Sequence, residues 1–168
     1  MRKKSRLLGP DDGSSASHSG TTGISNRIIE RGSVVGADEN IKTIQTVYEA
    51  FGRGYVGAVL DHVTDDVDWA TETSSTVAPW YGVRRGKDGV GAFFAAFGST
   101  MEVQEFSPLS FAANDTEVHT VVHCLATART TGKSIDNDLH HFFRFHDGKI
   151  SYYRGTEDTA QTEDALKS

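Results

Sequence analysis

The apolar residues of this chain change their spacing near residue 100, and that change limits the folds open to it. From Val103 to Glu157 they recur at every second position, the period of a strand with one buried face. Before Gly98 they recur at every third or fourth, the period of a helix with one buried stripe. Helices first and a meander of strands second predict an α+β layer: about three N-terminal helices packed on one face of a curved antiparallel sheet.

The first helical stripe is Ile41, Ile44, Val47, Tyr48 and Phe51 in "DENIKTIQTVYEAFGRG". Asp38 is placed to cap it, and the Gly52–Gly54 region to end it. A short second helix turns Val56, Val59, Leu60 and Val63 inward, and "DDVDWATE" reads as a strand carrying Trp69. Residues 73–88 read as a long loop holding Trp80 and Tyr81, aromatic side chains expected to fold over something. "DGVGAFFAAFG" is a third helix with Val90, Phe93, Phe94 and Phe97 on its buried side. Four strands follow: "VQEFSPLSFAA", "EVHTVVHCLATART", "IDNDLHHFFRFH" and "KISYYRGTE", the last two joined by the hairpin signal Asp147-Gly148. "TAQTEDAL" is a closing helix.

Residues 1–37 are rich in Gly, Ser and Thr, with too few apolar residues to offset the entropy of ordering, so they read as a disordered tail before a domain at 38–168. A start codon assigned too far upstream is the other reading of the tail. It holds six basic and three acidic residues; with a net charge of −6 overall, the remainder carries −9. An acidic body repels phosphate backbones, which argues against a nucleic-acid partner. No apolar stretch approaches the ~20 residues a membrane helix needs. The N-terminus lacks the apolar core of a secretory signal. The single cysteine, Cys124, forms no internal disulfide and fits a reducing compartment. A cytoplasmic protein is expected.

Strand alternation decides where the histidine pair of "LHHFFRFHDGKI" points. Leu139, His141, Phe143 and Phe145 share one face, apolar except for His141, and so face the core. His140, Phe142, Arg144 and His146 share the other. Adjacent strand histidines point apart and cannot grip one metal ion together. His119 and His123 have a spacing that serves a metal on a helix; on a strand they stand ~13 Å apart. No metal site is expected. On the neighbouring strand Thr120, Val122, Cys124, Ala126 and Ala128 form the smaller-sided face, suited to a concavity with room for a ligand. His119, Val121, His123, Leu125 and Thr127 form the other, suited to a wet subunit interface.

"YEAFGRG", "VTDDVDW", "YGVRRGKDGVGAFFAAF" and "HHFFRFHDGKI", in this order and spacing, resemble the SnoaL-like group of the nuclear transport factor 2 and ketosteroid isomerase superfamily. The resemblance runs from about Asn40 to Leu166. It implies a cone, with helices and curved sheet enclosing a pocket, and a homodimer formed through the outer sheet face. Function does not follow from the fold, because this fold hosts unrelated activities. The ketosteroid isomerases' helix tyrosine falls at Val47, with Tyr48 one place away. Their aspartate base falls near Thr71, beside Glu72, and their second oxyanion donor at His141. The triad of limonene-epoxide-hydrolase-like members falls at Val122, Cys124 and Gly155 and is absent. The acid–base aspartate of SnoaL-type cyclases falls near Gly155, where Glu157 or Asp158 would have to substitute. The histidine matches one that many SnoaL-like proteins carry, whereas Tyr55 departs from an acidic position.

Three functions follow as expectations. In the first, an enzyme acts on a small, mostly apolar, oxygenated molecule by proton transfer, in isomerisation or cyclisation without metal or organic cofactor. His141 is its acid–base group, with Glu72 or Glu157 as partner. In the second, the same pocket binds a small molecule without catalysis. In the third, the domain serves protein–protein association, and its pocket is filled by side chains. Tyr48, Trp69, Trp80, Tyr81, Val122, Cys124 and Phe143 are the expected ligand contacts. Arg154 joins them if the final hairpin is a plain two-residue turn. A bulge there would put Gly155 opposite His141 instead.

Overall fold

A computed structural model of the chain describes residues 36–168. The expected tail lies outside the described residues except at its end, where Gly36 precedes the first helix. The helices are α1 (Ala37–Gly52), α2 (Val56–Asp61), α3 (Gly86–Thr100) and α4 (Thr159–Leu166). The strands are β1 (Val63–Thr71), β2 (Gly82–Arg85), β3 (Met101–Ala113), β4 (Glu117–Ala128), β5 (Ser134–His146) and β6 (Lys149–Thr156). They form one six-stranded sheet in the order β2-β1-β6-β5-β4-β3, with the helices packed on it. This is the α+β layer that the period change predicts, in the cone form that the family resemblance implies.

α1 buries the predicted stripe, with Ile44, Val47 and Tyr48 turned to the core. Asp38 is not its cap. Gly36 occupies that position, and Asp38 sits in the first turn, where a carboxylate still favours the positive end of the helix. Residues 82–85, expected in a loop, pair with β1 as an edge strand, Trp69 opposite Arg84. β1 then pairs with β6 in parallel, the one departure from an antiparallel sheet among the described strands. Val63, expected on the second helix, opens β1 and is fully buried.

β4 alternates as predicted, with Thr120, Val122, Cys124, Ala126 and Ala128 buried. In β5, Leu139, His141 and Phe143 are buried between exposed or half-buried neighbours. Asp147 (φ 49°) and Gly148 (φ 76°) make the left-handed two-residue turn that an Asp-Gly hairpin favours. A bulge follows at once: Arg144 pairs with Tyr152, but Phe145 pairs with Ile150, so Ser151 is extra. Gly155 thereby stands opposite His141, and Arg154 opposite Phe142.

Candidate functional site

α1, α3 and the concave side of the sheet leave a cavity of about 70 Å³, lined mostly by aromatic rings. One water needs roughly 10–15 Å³ by this measure, so there is space for several. The rings come from elements with one buried stripe: Tyr48 and Phe51 from α1, Phe93, Phe94 and Phe97 from α3, Trp69, Phe106, Phe143 and Tyr153 from the strands. Trp80 closes one side, buried at 1% exposure and edge-on to Phe97 at 5.0 Å. Polar side chains enter this wall at few positions, and they gather in three places.

The first is around His141. Its register partners are Thr120 on β4 and Gly155 on β6. Tyr48 reaches down from α1, and its hydroxyl lies 2.6 Å from Thr120 Oγ1 and 2.8 Å from His141 Nδ1. Burial, then the neighbouring charge of His140, push the imidazole down to about 3, so His141 is neutral at physiological pH. Burial holds the Tyr48 phenol well above its usual range, partly opposed by the Thr120 bond. A phenol oxygen has one proton and two lone pairs. If Thr120 and Nδ1–H both donate to it, the Tyr48 proton is left over. If Tyr48 donates to Nδ1, the Nε2 proton is left over. In either tautomer the cluster keeps one unspent donor.

The second is Glu157, just beyond β6. Its Oε1 accepts from Thr162 Oγ1 at 2.8 Å and from the Tyr81 hydroxyl. Asp158 caps α4 by accepting from Ala160 N and Gln161 N, both at 3.1 Å, and this fixes Thr162 one turn into the helix. Burial raises the carboxyl's proton affinity, its two hydroxyl donors oppose that, and Asp158 adds to it; the net direction is up. The third place is the notch beside Gly155, where Thr71 and Tyr153 stand. Burial holds the Tyr153 phenol far above its usual range. Trp69 Nε1, buried next to it, has no hydrogen-bond partner among the described residues.

The predicted residues divide accordingly. His141, Glu157, Tyr48, Trp69, Trp80 and Phe143 all line the cavity, and Tyr81 stands behind Glu157. Glu72 does not: it is more than half exposed, and its carboxylate pairs with Arg154 Nε at 3.1 Å. Arg154 is on the outer face as well, because the Ser151 bulge reverses its side; it also pairs with Asp68 at 3.0 Å and lies over the Tyr152 ring at 4.0 Å. Val122 and Cys124 face inward but belong to the packed core, away from the cavity wall. Burial, and then the charge of Glu157, push the Cys124 thiol up to about 12, which makes it an inert core residue.

Tyr153 and the phenylalanines of α3 were not expected at the site; Thr120 was expected on the concave face and Thr71 near the position of the isomerase base, but neither as a polar contact. The α3 stripe carried the right signal but reads equally as core. Val47 lines the cavity beside Tyr48, so α1 turns both neighbours toward it. Among the described residues there is no group of three or more His, Cys, Asp or Glu side chains placed to hold a metal ion, and no helix is long and apolar enough to cross a membrane.

The family profile of the SnoaL-like domain matches residues 44–153. Solved structures share the fold. A nuclear transport factor 2-like protein of unknown function from Burkholderia pseudomallei K96243 is 25% identical, covering 77% of this chain and 98% of its own, with a TM-score of 0.71. A nuclear transport factor 2-like protein from Burkholderia xenovorans LB400 is 20% identical over 78% and 98%, with a TM-score of 0.70. A candidate SnoaL-like polyketide cyclase from Jannaschia sp. CCS1 is 15% identical over 77% and 92%, with a TM-score of 0.65. Comparison with curated protein sequences gives no match.

Proposed function

The chain belongs to the SnoaL-like domain family, and we propose that its cavity binds a small, mostly apolar molecule through a carbonyl oxygen and moves a proton next to that carbonyl. The supporting observation is the pairing of the His141 cluster, which has a donor to spare, with Glu157, a half-buried carboxyl of raised proton affinity in the same cavity. The apolar wall strengthens every such interaction by excluding water.

In this mechanism the carbonyl oxygen accepts the unspent hydrogen bond of Tyr48 or His141. The Glu157 carboxylate takes a proton from the adjacent carbon. The C–H electron pair becomes the enolate double bond, and the charge that develops on oxygen is met by the donor. Return of the proton to a different carbon isomerises the substrate; attack of the enolate on a second carbonyl forms the ring C–C bond, and the resulting alkoxide takes the proton back from Glu157. His141 then acts as a neutral hydrogen-bonding group. A side chain held near 3 is a poor proton acceptor at neutral pH, so the acid–base role first expected of it passes to Glu157. Tyr81 and Thr162 position that carboxyl. The chemistry needs side chains alone.

Two observations favour a second reading, a binding protein of the same shape: the aspartates of the usual family enzymes are absent, and Oε1 of Glu157 is already engaged by two hydroxyls. One experiment separates the readings. 1-Phenylbutan-1-one is incubated with the protein in D₂O, with binding followed by saturation-transfer NMR and α-proton loss by proton NMR. Proton transfer predicts exchange in the wild type, and binding without exchange in Glu157→Gln. Binding without exchange in both leaves the binding reading. No binding in either ends the pocket reading altogether. For the assembly we propose a homodimer through the outer sheet face, where Val121, Leu125 and Phe142 are only half-buried.

A further inference from the structure

Gly155 marks a notch in the cavity wall. A Cβ on Gly155 would meet the Tyr153 hydroxyl oxygen closer than atoms can approach, and Thr71 Oγ1 at 3.3 Å. The side chain that residue 155 lacks is thus replaced in space by the hydroxyl of Tyr153, reaching back over the bare backbone, with the Thr71 hydroxyl beside it. Both residues line the cavity. Both are at least nine-tenths buried, at 5% exposure each. Among the described residues neither hydroxyl has a hydrogen-bond partner, unlike Tyr48 and Thr120, which satisfy each other.

The position of the Tyr153 hydroxyl is fixed. Its ring stacks on Trp69 at 4.0 Å with 24° between planes, and meets His141 edge-on at 5.3 Å and Phe143 at 5.1 Å. A phenol oxygen that faces a cavity with no protein partner is left to bond cavity water or an atom of a ligand that displaces it. A rigid one at a cavity wall is preorganised for a ligand atom. His141 and Gly155 are register partners, so this spot lies one strand spacing, ~5 Å, from the His141 cluster.

Resting on the reading above, we infer that Tyr153 and Thr71 form a second oxygen-binding pole. The natural ligand is then an apolar molecule with two oxygen functions a few bonds apart, one held at Tyr48 and His141, the other at Tyr153 and Thr71. A hydroxy ketone or a diketone has this pattern; a simple ketone does not.

The test compares 1-phenylbutane-1,3-dione with 1-phenylbutan-1-one, which share an apolar body and differ by one oxygen. Dissociation constants are measured by NMR titration on the full chain. The dione is expected to bind the wild type about tenfold more tightly, the value of one buried hydrogen bond. Tyr153→Phe keeps the ring and its stack on Trp69, and should bring the ratio of the two constants to about one. Thr71→Val should lower it in part. Gly155→Ala displaces the Tyr153 hydroxyl without deleting it, and should act like Tyr153→Phe. Near-ultraviolet circular dichroism checks that each variant keeps its aromatic packing. If wild type and Tyr153→Phe show the same ratio, the second pole is wrong while single-oxygen binding survives. If neither compound binds the wild type, the pocket reading falls and takes the second pole with it.

Discussion

Lowering the pH should destabilise this fold through His141, and the size of the effect can be worked out. In the folded chain the imidazole titrates at about 3, against 6.5 for an exposed histidine. Between those values the unfolded chain takes up a proton that the folded chain refuses, so acid favours unfolding. The stability at stake is fully present above the unfolded value and is lost as pH falls toward the folded one. Integrating from pH 7 to pH 5 with these two values gives a loss of ~2 kcal/mol from this group alone. At a urea slope of ~2 kcal/mol per molar, the unfolding midpoint drops by ~1 M. His141→Gln keeps an amide that can bond Tyr48 but removes the titration. Urea unfolding followed by tryptophan fluorescence, for both proteins at both pH values, isolates the term, because every other titrating group is common to the pair. The wild type should lose ~1 M more than the variant. Parallel losses would mean that the imidazole is hydrated or charged in the folded chain, and the account of the neutral donor cluster would fail.

Tyr48→Phe deletes the hydroxyl that satisfies Thr120 and His141; it should cost ~1–3 kcal/mol in urea unfolding and slow α-proton exchange. Glu157→Gln should gain stability relative to wild type as pH rises, because the folded chain holds the Glu157 proton more tightly than the unfolded one; thermal melts at pH 4 and pH 8 would show the gain only at the higher pH, and the same difference at both would contradict it. On the proposed homodimer, Leu125→Asp puts a charge into the outer sheet face and should turn a wild-type dimer into a monomer in sedimentation equilibrium; a wild type that is itself monomeric would overturn that assembly.

What the sequence made legible was periodic. The β5 alternation told which histidine turns inward, and the α1 stripe brought Tyr48 to the wall, because each pattern repeats within one element and has a single buried face. What it left open was phase. Arg154 and Gly155 exchange faces when one residue is inserted after the Asp-Gly turn, and nothing in "KISYYRGTE" fixes whether Ser151 bulges. For the same reason the two adjacent tyrosines could not be told apart, and Tyr153 went unseen. Glu72 and Glu157 each lie one residue past a strand end, where alternation has stopped; ion pairing with Arg154 takes one outward, and the bonds from Tyr81 and Thr162 keep the other in. The β2 edge strand is four residues long and carries two arginines, which reads as loop until β1 is there to pair with it.

The parallel seam between β1 and β6 has a consequence for biosynthesis. It joins Trp69 to Tyr153 across the whole of β2, α3, β3, β4 and β5. While the ribosome is still adding the strands between, the rings of α1 and α3 have made their helices but have no sheet to lie on. A growing chain at that stage presents greasy helical surface to the cell, and the cavity closes only once β6 has been made. Factors that shield emerging polypeptides should therefore matter more to the yield of this protein than to that of a helical bundle of equal length, whose partners follow one another closely in the chain.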